Sequence, residues 1–81
     1  MGGRRRMKVE RLTRETIKHF DLCFCELRDN DGELYTGYLV IRDKEYIILP
    51  MPLHPHYSSF HFKLSHIRSI KFKSNGYEIK K

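Results

Sequence analysis

A chain of 81 residues has room for one domain and not two. Its hydrophobic content of 40% and charged content of 32% exclude a disordered tail. So small a core leaves little material to wall a deep catalytic pocket. The formal net charge of +6 is bipolar, with +5 over residues 1–20, −4 over 21–45 and +5 over 46–81.

No apolar run approaches the ~20 residues that span a bilayer. The basic start, MGGRRRMKVERL, lacks the apolar stretch of a secretory signal. Cys23 and Cys25 would lie on one face of an extended strand ~6.6 Å or more apart, beyond the usual Cβ spacing of a disulfide. These features predict a reduced cytoplasmic protein with no membrane association.

In chain order, residues 1–8 read as a flexible basic arm holding Arg4, Arg5, Arg6 and Lys8. Residues 9–81 then form a single domain. Over about 9–20, VERLTRETIKHF places apolar residues at 9, 12, 17 and 20, a loose helical face. Thr13 is also placed to cap a shorter helix over the last two turns.

After Asp21 the apolar period becomes two. Cys23, Cys25 and Leu27 share one face, and Asp29-Asn30-Asp31-Gly32 turns the chain. The returning ELYTGYLVIR sets Tyr35, Gly37, Leu39 and Ile41 together, and Gly37 marks a bend or a close backbone approach. A polar turn at Arg42–Glu45 leads to a third strand, Tyr46–Leu49. Pro50, Pro52 and Pro55 interrupt pairing. A fourth strand over Ser59–Leu64 puts Phe60, Phe62 and Leu64 inward, and after Ser65-His66 a fifth carries Ile67, Ile70 and Phe72. Asn75-Gly76 signals a terminal hairpin over about 70–80. The expected fold is therefore mainly β: an N-terminal helix, then a five-stranded, strongly bent antiparallel barrel over about 21–73, then the short hairpin.

The segment CFCELRDNDGELYTGYLVIRD resembles the first motif of the Sm and Sm-like family, small barrels of the SH3-like kind. Gly32, Tyr35, Gly37, Leu39 and Asp43 stand at matching spacing. The chain departs where that family reads uridine-rich RNA: Ile47 replaces an asparagine, and Phe62, Lys63 and Leu64 replace Ile-Arg-Gly. The resemblance thus implies the architecture without the family's RNA pocket. The stretch is also similar to the barrel half of the YolD-like family, through Asp43 and FKLSHIRSI. Those are small bacterial proteins associated with an error-prone DNA polymerase.

Cys23, Cys25, His54 and His56 form C-x-C and H-x-H pairs, but a mid-strand cysteine pair fits buried small hydrophobes better than a zinc site. Residues 46–77 hold no carboxylate beside His54, His56, His61 or His66, and Ser58, Ser59 and Ser65 lack a triad partner. No catalytic residue, metal or cofactor is therefore assigned. The functional signal is basic: Arg4, Arg5, Arg6, Lys8, Arg11, Arg14 and Lys18 in the arm and helix, with Lys63, Arg68, Lys71 and Lys73 either extending the same surface or making a second one. Such residues suit salt-sensitive phosphate contacts, with Tyr38, Tyr46 and Tyr57 as stacking platforms. The expected function is a non-catalytic module that contacts RNA or single-stranded DNA. The alternative is a protein–protein adaptor or small regulator docking on a larger protein, such as one of DNA repair or replication, and a homo-oligomer fits either.

Overall fold

The computed structural model describes residues 8–50 and 58–81. The described residues are mainly β and hold seven strands: β1 (Lys8–Arg11), β2 (Phe24–Asp29), β3 (Leu34–Arg42), β4 (Glu45–Pro50), β5 (Phe60–Phe62), β6 (Ile67–Phe72) and β7 (Tyr77–Lys80). They form one sheet in the order β1-β7-β6-β2-β3-β4-β5. The β1–β7 ladder is parallel and the others are antiparallel.

Two expectations are corrected. The helix over 9–20 shrinks to a single turn, α1 (Arg14–Ile17), followed by a 3-10 turn at Lys18–Phe20. Its first third is strand β1. Lys8 N–H donates to the Gly76 carbonyl at 2.7 Å, and Leu12 N–H to that of Lys80 at 2.9 Å. An isolated helix this short is marginal in water, so pairing with the free edge of β7 outweighs a loose helical pattern. What remains of the helix starts where a capping residue allows it. Thr13 Oγ1 accepts from Thr16 N–H at 3.1 Å, and Thr16 Oγ1 accepts from Thr13 N–H at 3.0 Å, a reciprocal capping box.

The second correction concerns closure. The sheet is an open, mixed seven-stranded sheet rather than a five-stranded barrel. β6 pairs with β2 on one side and β7 on the other, and β7 is taken by β1. The terminal hairpin is thus part of the sheet, and it occupies the edge that closure needs. At the far end β5 is only three residues long. Among the described residues no ladder joins it back to β1.

The strand periods set the core. Cys25, Leu27, Leu39, Tyr46, Ile48, Phe62, Ile67, Ile70, Phe72 and Ile79 share one pleat and are buried. Each fully buried large aliphatic or aromatic side chain contributes ~1.5–3 kcal/mol. Ile67 and Ile70 both face inward, although three residues apart, because of a bulge. Arg28 opposes Ser69 while Asp29 opposes Ile67, so Arg68 is the extra residue. Leu12, Ile17 and Phe20 cover this core from one side, and the Phe20 ring stacks on Phe72 at 4.2 Å. The other pleat exposes Phe24, Leu34 and Tyr38, while Ile47 on it is buried.

Candidate nucleic-acid interface

On that outer pleat the ladders align side chains into rungs across the strands. The first rung sets Phe24 of β2 against Tyr38 of β3, which opposes Leu49 of β4. The two rings meet edge-on at 5.4 Å and are 39% and 40% exposed, so π-surface remains open to solvent. The second rung runs Val9, Glu78, Lys71, Glu26, Thr36 from β1 to β3. The third runs Arg11, Lys80, Ser69, Arg28, Leu34. Lys73, just past β6, meets Glu26 at 3.1 Å.

Charge is therefore ordered along the strands. In the second rung Lys71 lies between Glu26 and Glu78, which offset it. The third rung carries Arg11, Lys80 and Arg28 with no carboxylate in it. These three cations, of which Arg28 donates to the Gly32 carbonyl at 2.8 Å, lie about four residues along the strands from an exposed aromatic pair, ~13 Å at strand rise.

The structure divides the predicted basic residues. Arg11, Lys71 and Lys73 belong to this face. Lys8 does not: it projects to the core side, with its ammonium 5.6 Å from the Tyr77 ring centroid. Arg14 and Lys63 line an open groove of about 400 Å³ with Lys44, Tyr46 and Leu64. Lys18 pairs with Glu15 at 2.8 Å, and this partner lowers the Glu15 pKa. Arg68 donates to the Asn30 carbonyl at 3.4 Å, beside Lys81, whose ammonium reaches the Ser65 carbonyl at 2.8 Å. The predicted basic residues that the structure describes thus do not share one face. Arg4, Arg5 and Arg6 lie outside the described residues.

Of the expected stacking platforms, Tyr38 is exposed on this face and Tyr46 is buried in the core. Tyr57, His54 and His56 lie outside the described residues. Sequence reasoning missed Phe24, Arg28 and Lys80. The signal was available in the alternation of β2, where Phe24, Glu26 and Arg28 must face away from Cys25 and Leu27.

His61 does find a carboxylate, contrary to expectation. Its Nδ1 is 3.3 Å from Glu45 Oε1, across the β4–β5 ladder, and its Nε2 is 3.1 Å from Ser59 Oγ. The connectivity is that of a triad. The His61 and Glu45 side chains are half exposed, however, and a pair so screened is worth ~1 kcal/mol or less. That is too little to fix the imidazole against Ser59. Burial pushes the Cys25 thiol up to about 12, so it stays protonated at neutral pH and packs as a small hydrophobe.

Comparison with protein-family models, curated proteins and solved structures finds no match. Among the described residues no helix is long and apolar enough to cross a membrane.

Proposed function

We propose that the protein is a non-catalytic module that binds single-stranded nucleic acid across the outer face of its sheet. One observation carries this reading: the half-exposed Phe24–Tyr38 pair shares a pleat with the carboxylate-free rung Arg11, Lys80 and Arg28. Exposed aromatic faces take up unpaired bases, and flanking cations take up the phosphates between them. A duplex hides its base faces, so the aromatic pair favours single strands.

The test is fluorescence anisotropy with labelled oligonucleotides of roughly 12 nucleotides, within the usual range of site sizes. Three phosphate contacts to a single strand give a log–log salt slope of about −2, a loss of roughly 20-fold between 50 and 200 mM salt. Tyr38→Ala removes one stacking surface and should weaken binding by about 5- to 150-fold, from ~1–3 kcal/mol per base. Flat salt dependence, or an affinity indifferent to Phe24 and Tyr38, overturns the proposal.

A further inference from the structure

The two carboxylates on this face work against phosphate binding, and their positions differ in what they can do. Glu78 is in register with Lys71 and remote from the aromatic pair. Glu26 follows Phe24 by two residues on β2, and its cross-strand neighbour Thr36 follows Tyr38 by two positions along the rungs. The Glu26 Cα is therefore ~6.6 Å along the strand from that of Phe24, a spacing that brings its carboxylate within reach of the edge of a base resting on the aromatic pair.

The Glu26 side chain is 25% exposed, and Lys73, itself 66% exposed, approaches its Oε2 at 3.1 Å. An ionised carboxylate only accepts hydrogen bonds and has about four lone-pair sites, so one lysine leaves acceptor capacity for a base. Guanine offers two adjacent donors, N1–H and the N2 amine, which can engage one carboxylate. Adenine and cytosine offer a single exocyclic amine beside a ring acceptor. Uracil and thymine flank their one N–H with two carbonyl oxygens that repel a carboxylate.

Building on the binding reading above, we propose that Glu26 selects the stacked base, favouring guanine and disfavouring uracil or thymine. Lys73 is the cation nearest that carboxylate, in a screened contact. Lys71 beside it keeps the anion from repelling the neighbouring phosphates.

The test measures anisotropy at ~50 mM salt with alternating U/G, U/A and U/C oligonucleotides and with oligo-U, for the full chain and for Glu26→Gln. Circular dichroism confirms that the variant is folded. The expected result is that U/G binds at least about fivefold tighter than oligo-U, the scale of a bidentate base contact. In Glu26→Gln the two should converge within about twofold, with oligo-U binding no weaker than in the parent, because the change removes a negative charge. Equal binding of all four oligonucleotides by the parent protein overturns the role of Glu26 and leaves the binding reading standing. So does a guanine preference that survives in Glu26→Gln. Failure of every oligonucleotide to bind overturns both.

Discussion

Gly37 offers the sharpest test of how β3 and β4 meet. A Cβ built there runs into the Leu49 carbonyl oxygen, lies 2.7 Å from the Leu49 carbonyl carbon and 3.0 Å from Ile48 Cγ2. Two of these are backbone atoms of the paired strand, so no rotamer change relieves the overlap. Gly37→Ala must therefore push β4 away near the Gly37–Pro50 pair, loosening the neighbouring Leu39–Ile48 contact. Overpacking a core costs ~1–3 kcal/mol, and a backbone obstacle puts this substitution at the upper end. For a domain of this size ~3 kcal/mol is a fall of roughly 12–24 °C in Tm. Thermal unfolding followed by circular dichroism reads it directly, with Thr36→Ala on the outer pleat as the control. A loss below ~1 kcal/mol would refute the close approach and the β3–β4 register with it.

Thr13→Ala removes the capping box and should cost ~1 kcal/mol, or about 4–8 °C in Tm, although its side chain is only part-buried. Arg28→Ala and Lys80→Ala should each make the salt slope shallower by about 0.7, the value per phosphate for single strands. Lys63→Ala, on the separate groove, should leave the slope unchanged in the same titration. Cys25 makes stability pH-dependent at the alkaline end. Its folded pKa is raised from 9.0 to about 12, so the folded state holds the proton more tightly. Its contribution is complete below pH 9 and declines as pH rises toward 12, by up to ~1.4 kcal/mol per pH unit. Denaturant midpoints of the parent and Cys25→Ala proteins should therefore converge over that range.

Much of the centre of the fold was legible because local rules and tertiary packing agree there. The Asp29–Gly32 turn needs a residue of positive φ, and Gly32 supplies it at +87°, while Asp29 Oδ1 accepts from Asp31 and Glu33 N–H. Cys25, Leu27 and Leu39 alternate in sequence and are buried in space. The ends were not legible. Nothing in KVER marks it as a strand, since all four of its residues are exposed, so burial leaves no period in the sequence. Its state is decided by the backbone of β7, some 70 residues away. The Asn75-Gly76 signal located a hairpin correctly, but Phe72 pairs with Tyr77 across four residues rather than two. The interface failed for a related reason. Composition counts cations, whereas their grouping depends on which pleat and which rung each occupies.

The correction at the N-terminus and the proposed interface are one structural fact. Had residues 9–20 formed a helix on a closed barrel, Arg11 would sit on its surface among Arg14 and Lys18, beside the Tyr46 groove. As strand β1, residues 8–11 instead send alternate side chains to opposite faces. Lys8 goes to the core side over Tyr77, and Arg11 joins Lys80 in the outer rung. The aromatic pair follows the same division of faces: Phe24 and Tyr38 are exposed on the outer pleat, while the segment from Leu12 to Phe20 covers the other side. Detaching β1 should therefore act on binding twice, by removing one cation and by freeing the edge of β7 that holds Lys80. Glu10→Pro does this, because Glu10 is exposed and its loss opens no cavity, while its N–H, midway between those of Lys8 and Leu12 that bond the β7 side, is the one a proline removes from the ladder. The salt slope should fall by more than the ~0.7 of a single lost cation, with the core's thermal transition retained. A slope equal to that of Arg11→Ala would mean that the rung does not depend on the strand.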